Sequence, residues 1–262
     1  MIFTPPDTSH GRLDLWRRTG GLLFDSIGGG GAPPVIPATN LVLWLKPDDL
    51  TGADSSAVVS CPDASGLNRH AVKLGASNPI LKTNALNGKK VLQFSGAATE
   101  RLGGATNLIT PNVTAFLVMR IDSDSATYAR GLSVTKNNAT GDTVGSTNRI
   151  LAVRYFGAQQ VMNYGTGAEI AFAPFPSYAS HFLMTSRFNG TTGYVSVNSG
   201  AEVAGAAYPW PFDAQVYAIG GDPSGTTGFK GQIAEVIMYD ISLDPTKLAE
   251  VKAYLKTRFN LP

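Results

Sequence analysis

The chain has 262 residues, is 43% hydrophobic and only 15% charged, and carries a formal net charge of +2. A charge so small, with no Lys/Arg cluster, gives nucleic acid no electrostatic handle, and no apolar run reaches the ~20 residues that a membrane helix needs. The 29 Gly and 16 Pro favour many short strands and turns over long surface helices, and Cys61, the only cysteine, excludes an intrachain disulfide.

In chain order, residues 1–27 place Trp16, Leu22, Leu23 and Phe24 among Arg12, Arg17 and Arg18, without the basic start and apolar stretch of a secretory signal. "GGGGAPPVIP" (Gly28 to Pro37) combines flexible glycines with stiff prolines and reads as a linker. Trp16 and "GLLF" are too apolar for a tail that floats. Residues 1–39 are therefore expected to form an arm that docks onto its own domain, a neighbouring subunit or another protein, ahead of a body at 40–262.

The β pattern is dense from Asn40. "LVLWLKP" alternates and stops at Pro47, "KKVLQFSG" alternates after the turn-forming Asn87-Gly88, and "VTAFLVMRI" is apolar on both faces. "RILAVRYF", "SHFLMTSRF", "GYVSVNS", "AQVYAIGG" and "GQIAEVIMY" are further strands, and "FNGTTGYVSVNSG" reads as a hairpin. About a dozen short strands separated by turn signals predict an all-β, antiparallel two-sheet sandwich or jelly roll. One helix closes the chain: Asp244 caps it, Pro245 fits its first turn, and Leu248, Val251, Tyr254 and Leu255 recur at helical spacing. It is expected to pack on the edge or end of the sandwich.

The order of "LVLWLKPDDL", the loop "CPDASGLNRHAV", "NPILKTNALNGKKVLQFSG" and the closing "FKGQIAEVIMYDISLDPTKLAEVKAYLKTRF" resembles the concanavalin A-like (laminin-G-like) lectin/glucanase jelly rolls of bacterial surface and phage virion proteins. The resemblance covers residues 40–262. Leu43, Trp44 and Leu45 match the first-strand core, and Asp63, Ser65, Gly66 and Asn68 match an Asp-x-Ser-Gly-x-Asn loop. Cys61 stands where that pattern usually has Trp. The glucanases of this group carry a Glu-x-Asp-x-x-Glu strand, because retaining hydrolysis needs two carboxylates about 5–5.5 Å apart. Here Glu100, Glu169, Glu202, Glu235 and Glu250 are the only glutamates, and none has an acidic residue two positions away. Glu235, read on one strand face with Ile233, Ile237 and Tyr239, suits either a general acid with raised pKa or a carboxylate near the sheet margin bonded to backbone or arginine; without an acidic partner the second is expected, and with it no enzyme.

Other candidates stay open at this level. Asp63 with Ser65 suits either a Ca²⁺ ligand or an Asx-type turn, and no other cofactor is indicated. "AYPWPF" (Tyr208, Trp210, Phe212) and "FAPFPSY" (Phe175, Tyr178) are proline-stiffened aromatic loops, suited to stack on sugars, to form a subunit interface or to plug the sandwich. His10, His70 and His181 show no metal spacing, and Cys61 reads as a small buried hydrophobe. The sequons at Asn112, Asn138 and Asn189 read as turn chemistry.

Together these features predict a non-enzymatic bacteriophage virion protein: a capsid decoration, head-fibre or tail-fibre component made in the host cytoplasm. Its arm at residues 1–39 would hold other virion proteins, and its lectin-like body, a symmetric oligomer and by expectation a trimer, would meet host-surface glycans. The alternatives are a stand-alone or bacterial surface carbohydrate-binding module and, behind it, a glycan-active hydrolase.

Overall fold

The computed structural model describes residues 35–108, 112–136, 149–157, 160–165, 168–206 and 215–262. The arm residues Trp16, Leu22, Leu23 and Phe24, together with His10, Asn138 and the aromatic trio Tyr208, Trp210 and Phe212, lie outside the described residues. The body begins at Val35. Within it Ile36 is buried and the Pro37 carbonyl accepts a bond from the Tyr239 hydroxyl at 3.0 Å.

Sixteen described strands form two eight-stranded sheets with antiparallel pairing throughout. Sheet A runs β14 (Val203–Ala206), β13 (Thr192–Val197), β12 (Phe182–Asn189), β7 (Asn112–Ile121), β16 (Lys230–Tyr239), β5 (Lys89–Ser95), β4 (Ile80–Leu86), and β1 (Leu41–Leu45) also pairs with β16. Sheet B runs β11 (Ala168–Pro174), β10 (Gln160–Gly165), β9 (Arg149–Gly157), β8 (Arg130–Lys136), β15 (Gln215–Ile219), β6 (Leu102–Ala105), β3 (Ala71–Lys73), β2 (Ser60–Cys61). This is the all-β sandwich that the turn-rich sequence predicts. The period-2 alternation of each strand sends one set of side chains inward. Leu43, Leu92, Leu117, Met119, Val236 and Met238 of sheet A meet Leu102, Leu132, Val134, Tyr217 and Ile219 of sheet B in one core.

The prediction names half of these strands, and two of those it passes over, β4 and β8, have identifiable reasons. Ser133 and Thr135 are polar yet fully buried, which breaks the apolar pattern of β8, and β4 is irregular around Asn84, whose φ is +52°. The hairpin of β12 and β13 is as predicted, and the Asn189 side chain closes its turn by accepting from Thr191 N and Thr192 N at 3.1 and 2.7 Å.

The closing helix α1 (Pro245–Phe259) starts where Asp244 accepts from Lys247 N at 2.9 Å and ends at Asn260, which takes the left-handed conformation at φ +52°. It does not sit at an edge or end. Val251, Leu255 and Phe259 lie across the outer face of sheet A, packed with Val91, Phe116, Val118, Leu183, Ile237 and Tyr239. The reason lies in the strands: β7 and β16 are apolar on both faces, so sheet A needs a second cover, and each buried apolar side chain there contributes about 1.5–3 kcal/mol.

Candidate functional site

The buried acid singled out in the sequence belongs to this cover. A bulge between Ile233 and Glu235 resets the register of β16 against β7, so Glu235 pairs with Val118 on the outer side while Ile233 turns inward with Val236 and Met238. This corrects the expected face shared with Ile233 and the expected marginal position, since β16 is flanked by β7 on one side and by β5 and β1 on the other. Glu235 is 1% exposed; its Oε1 accepts from the Trp44 indole N–H at 2.7 Å, and Arg258 Nε of α1 lies 2.9 Å from Oε2. Burial pushes its carboxyl above the ordinary range, and Trp44, Arg258 and Tyr254 pull against that. Arg258 also reaches Asp48 at 3.0 Å, and Asp48 pairs with Lys89 at 3.2 Å. A carboxylate so enclosed ties the helix to the sheet and offers no surface to a substrate.

Phe175 is likewise no exposed platform. It is 3% exposed, stacks on Phe182 at 5.1 Å between centroids and meets Tyr178 edge-on at 5.3 Å. Tyr178 is half-buried, with its hydroxyl 2.8 Å from that of Tyr155. These rings plug the sandwich. Cys61 is fully buried and its thiol is pushed up to about 12 by that burial, and burial beside Arg120 lowers His181 to about 4, which keeps it neutral at physiological pH.

Asp63 closes its own loop. Its Oδ1 accepts from the backbone N–H of Trp44 and of Ser65, both at 2.9 Å, and its Oδ2 accepts from Ser65 Oγ at 2.7 Å and Arg69 N at 3.0 Å. Burial acts to raise this carboxyl, but the donors of Ser65, Trp44 and Arg69 hold it below the usual range. With four donors on its two oxygens it acts as the Asx-type turn, and among the described residues no cluster of three His, Cys, Asp or Glu side chains could hold a metal. Asp222, which the sequence reading missed, does the same job elsewhere, accepting from Thr226 N and Thr227 N at 2.9 Å each while its side chain is fully buried.

The loop that Asp63 closes carries the site. Its backbone N–H donates to His70 Nδ1 at 3.0 Å, which leaves the imidazole proton on Nε2 of an exposed ring. The Tyr217 hydroxyl donates to the Arg69 carbonyl at 2.6 Å, and Arg69 NH1 donates to the Val42 carbonyl at 3.2 Å. Beneath the loop, β6 has Gly103 and Gly104 where larger residues cannot fit: a Cβ on Gly104 would stand 2.7 Å from the His70 carbonyl. The His70 end of loop 62–70 can therefore lie close against β6. There Ala71 turns inward and Val72 outward, and Leu102 inward and Ala105 outward, so Val72 and Ala105 share the outer face across the β3–β6 pair.

The result is a groove of about 480 Å³ lined by Leu67, Asn68, Arg69, His70, Val72, Ala105 and Asn107. Leu67 and Val72, 49% and 45% exposed, are its large apolar side chains. Asn68 and Asn107 also line it, both in the left-handed conformation at φ +56° and +48°. A smaller groove of about 240 Å³ lies along Leu50, Thr51, Ser56–Ser60 and Pro62. The larger groove was hidden in the sequence because its parts come from residues 67–72 and 105–107, joined only by the β3–β6 pairing. "HAVKL", with its inward Ala71 and outward Val72, held the only local signal.

No protein-family model and no curated protein sequence matches the chain. Solved structures do. Trypanosoma rangeli sialidase in complex with sialic acid aligns at 16% identity and a TM-score of 0.59, over 94% of this chain and 38% of that one. The antiparallel β-sandwich is the shared feature. Domain 4 of AbnA, a GH43 extracellular arabinanase from Geobacillus stearothermophilus in complex with arabinotriose, aligns at 13% identity and a TM-score of 0.55, over 81% of this chain and 98% of that domain. The receptor binding domain of botulinum neurotoxin mosaic serotype C/D aligns at 11% identity and a TM-score of 0.58, over 82% of this chain and 51% of that one. The chain thus spans well under half of the sialidase chains that it matches. These neighbours overturn the expected non-enzymatic bacteriophage virion component: the likeness runs to a sialidase and to a domain of an extracellular arabinanase.

Proposed function

We propose that the body is a carbohydrate-binding module that holds an oligosaccharide in the groove on the outer face of sheet B, without catalysing its hydrolysis. The observation that carries this reading is the groove itself: about 480 Å³, lined by exposed apolar Val72 and Leu67 together with two carboxamides, an imidazole N–H and a guanidinium. A pyranose or furanose ring has an apolar C–H face and a periphery of hydroxyls, which is the same division of chemistry at the same scale. Two sugar-handling structures among the neighbours lend support, one of them a domain described with arabinotriose bound. The non-catalytic reading is supported by Glu235, whose carboxylate is committed to Trp44 and Arg258 beneath α1. The saturated oxygens of Asp63 support binding that needs no metal, so that EDTA leaves it unchanged.

A glycan array with the purified protein and with Val72→Asp tests the reading. Glycan signals from the wild type that disappear in Val72→Asp are the expected result. No signal, or equal signals from both proteins, would refute the groove as a sugar site. Release of reducing sugar from a bound glycan, lost in Glu235→Gln, would show an enzyme instead.

A further inference from the structure

We infer that the groove selects an acidic saccharide, one bearing a carboxylate or sulfate group, over a neutral one. The inference rests on the saccharide reading above and concerns which sugars the same site takes. Its basis is an imbalance of donors. His70 can offer only an N–H to the groove, because Asp63 N–H already occupies Nδ1 at 3.0 Å and forces the proton onto Nε2. Arg69 carries five N–H donors and no acceptor, and the bond to the Val42 carbonyl uses one of them. Asn68 and Asn107 are balanced, each with two N–H donors and a carbonyl oxygen that can accept two bonds, so the excess comes from Arg69 and His70. Against these stands no carboxylate among the described lining residues. A neutral hydroxyl has two acceptor lone pairs and one O–H donor, so it can meet such donors only with an uncharged acceptor and brings a donor of its own that finds no carboxylate here. An anionic group accepts several N–H bonds at once, and a guanidinium fork fits a carboxylate or sulfate edge.

The nearby acids do not cancel this arrangement. Asp63 lies beside Arg69, but its two oxygens are filled by four donors and its side chain is buried under the loop. Asp240 also acts on Arg69 through its charge, yet it follows β16 on sheet A and is not among the groove's lining residues. The anion would sit at the Arg69–His70 end, with its ring against Val72.

Calorimetric titration with three oligosaccharides of equal length decides the matter: an oligogalacturonate, a sulfated heparin fragment and a neutral β-glucan. The expected result is that one or both acidic ligands bind at least about tenfold tighter than the neutral one, and that this lead shrinks as NaCl rises from 50 to 500 mM. The two acidic arms separate carboxylate from sulfate recognition. Arg69→Gln should reduce the acidic-to-neutral affinity ratio, and Arg69→Lys should restore part of it. Because Arg69 also braces the Val42 carbonyl, a variant that melts early is set aside, and the salt dependence of the wild type then decides. Equal affinities, a salt-independent lead or a ratio unmoved by Arg69→Gln in a folded protein would overturn the inference while leaving a neutral-sugar site standing. Failure of all three ligands to bind, together with a blank glycan array, would remove both readings.

Discussion

On the outer face of β16, Glu235 is 1% exposed beneath α1 and held by an indole N–H and a guanidinium. On the outer face of β3 and β6, Val72 is 45% exposed in a groove that Asn68, Arg69, His70 and Asn107 also line. Both places combine apolar surface with hydrogen-bonding groups, and the difference between them is who supplies the partner. On sheet A the chain supplies its own, through Arg258 and the apolar stripe of α1. At the end of sheet B it does not. The polar group that attracts attention in the sequence is the enclosed one, and the solvent-facing donors sit in a loop whose conspicuous acid is a turn closure. A chemically interesting residue is thus a guide to function only once its partners are counted.

Perturbing each face in turn sharpens this contrast. The largest effect is expected at the cover: Phe259→Ala removes a ring that is 1% exposed between α1 and sheet A and should cost about 3–5 kcal/mol in denaturant unfolding. Asp63→Ala comes next. It strips the four-donor closure of loop 62–70 and should cost about 2–3 kcal/mol while also abolishing glycan binding, because Leu67, Asn68 and Arg69 lose their frame.

A subtler pair of experiments compares the two carboxylates by pH. Glu235 is raised above its ordinary value of 4.5, so the stability it contributes is present at acid pH and is lost as pH rises through its folded-state value. The stability advantage of the wild type over Glu235→Gln should therefore shrink as pH increases above 4.5. Asp63 is lowered below its ordinary value of 3.8, so its contribution is present above that value and lost as pH falls through its folded-state value. The advantage over Asp63→Asn should shrink in the opposite direction, toward acid. Melting curves across pH 3–8 check both signs, and parallel slopes would mean that the two environments are not opposed. The smallest expected effect is on stability at the groove: Val72→Asp should change unfolding free energy by no more than about 0.5 kcal/mol, since the side chain is already solvated.

Much of the fold could be read from residues in sequence. Asp244-Pro245 marks the start of α1, Asn87-Gly88 and "FNGTTG" mark turns, and the continuous apolar run of β7 states that the strand is covered on both faces. That last signal also implied a cover for sheet A, which the expected edge position of the helix did not honour. The bulge at Ala234 is a different matter. It reverses the inward and outward sense of β16 halfway along, and period-2 counting cannot see a single inserted residue. The groove was less legible still. Val72 and Ala105 are neighbours because β3 pairs with β6, skipping two strands that pair in the other sheet, and the His70 tautomer depends on a backbone N–H seven residues earlier. Such pairings are products of the topology, and no local pattern announces them.

The central claim is that the sandwich meets its ligand at the open end of sheet B and not beneath the helix. Amide chemical-shift mapping tests it most directly, with ¹⁵N-labelled protein titrated with the glycan that gives the strongest array signal. The account predicts saturable shifts concentrated in residues 67–72 and 105–107, with residues 245–259 unmoved. Shifts centred on α1 and Glu235, or scattered without a focus at the groove, would contradict it.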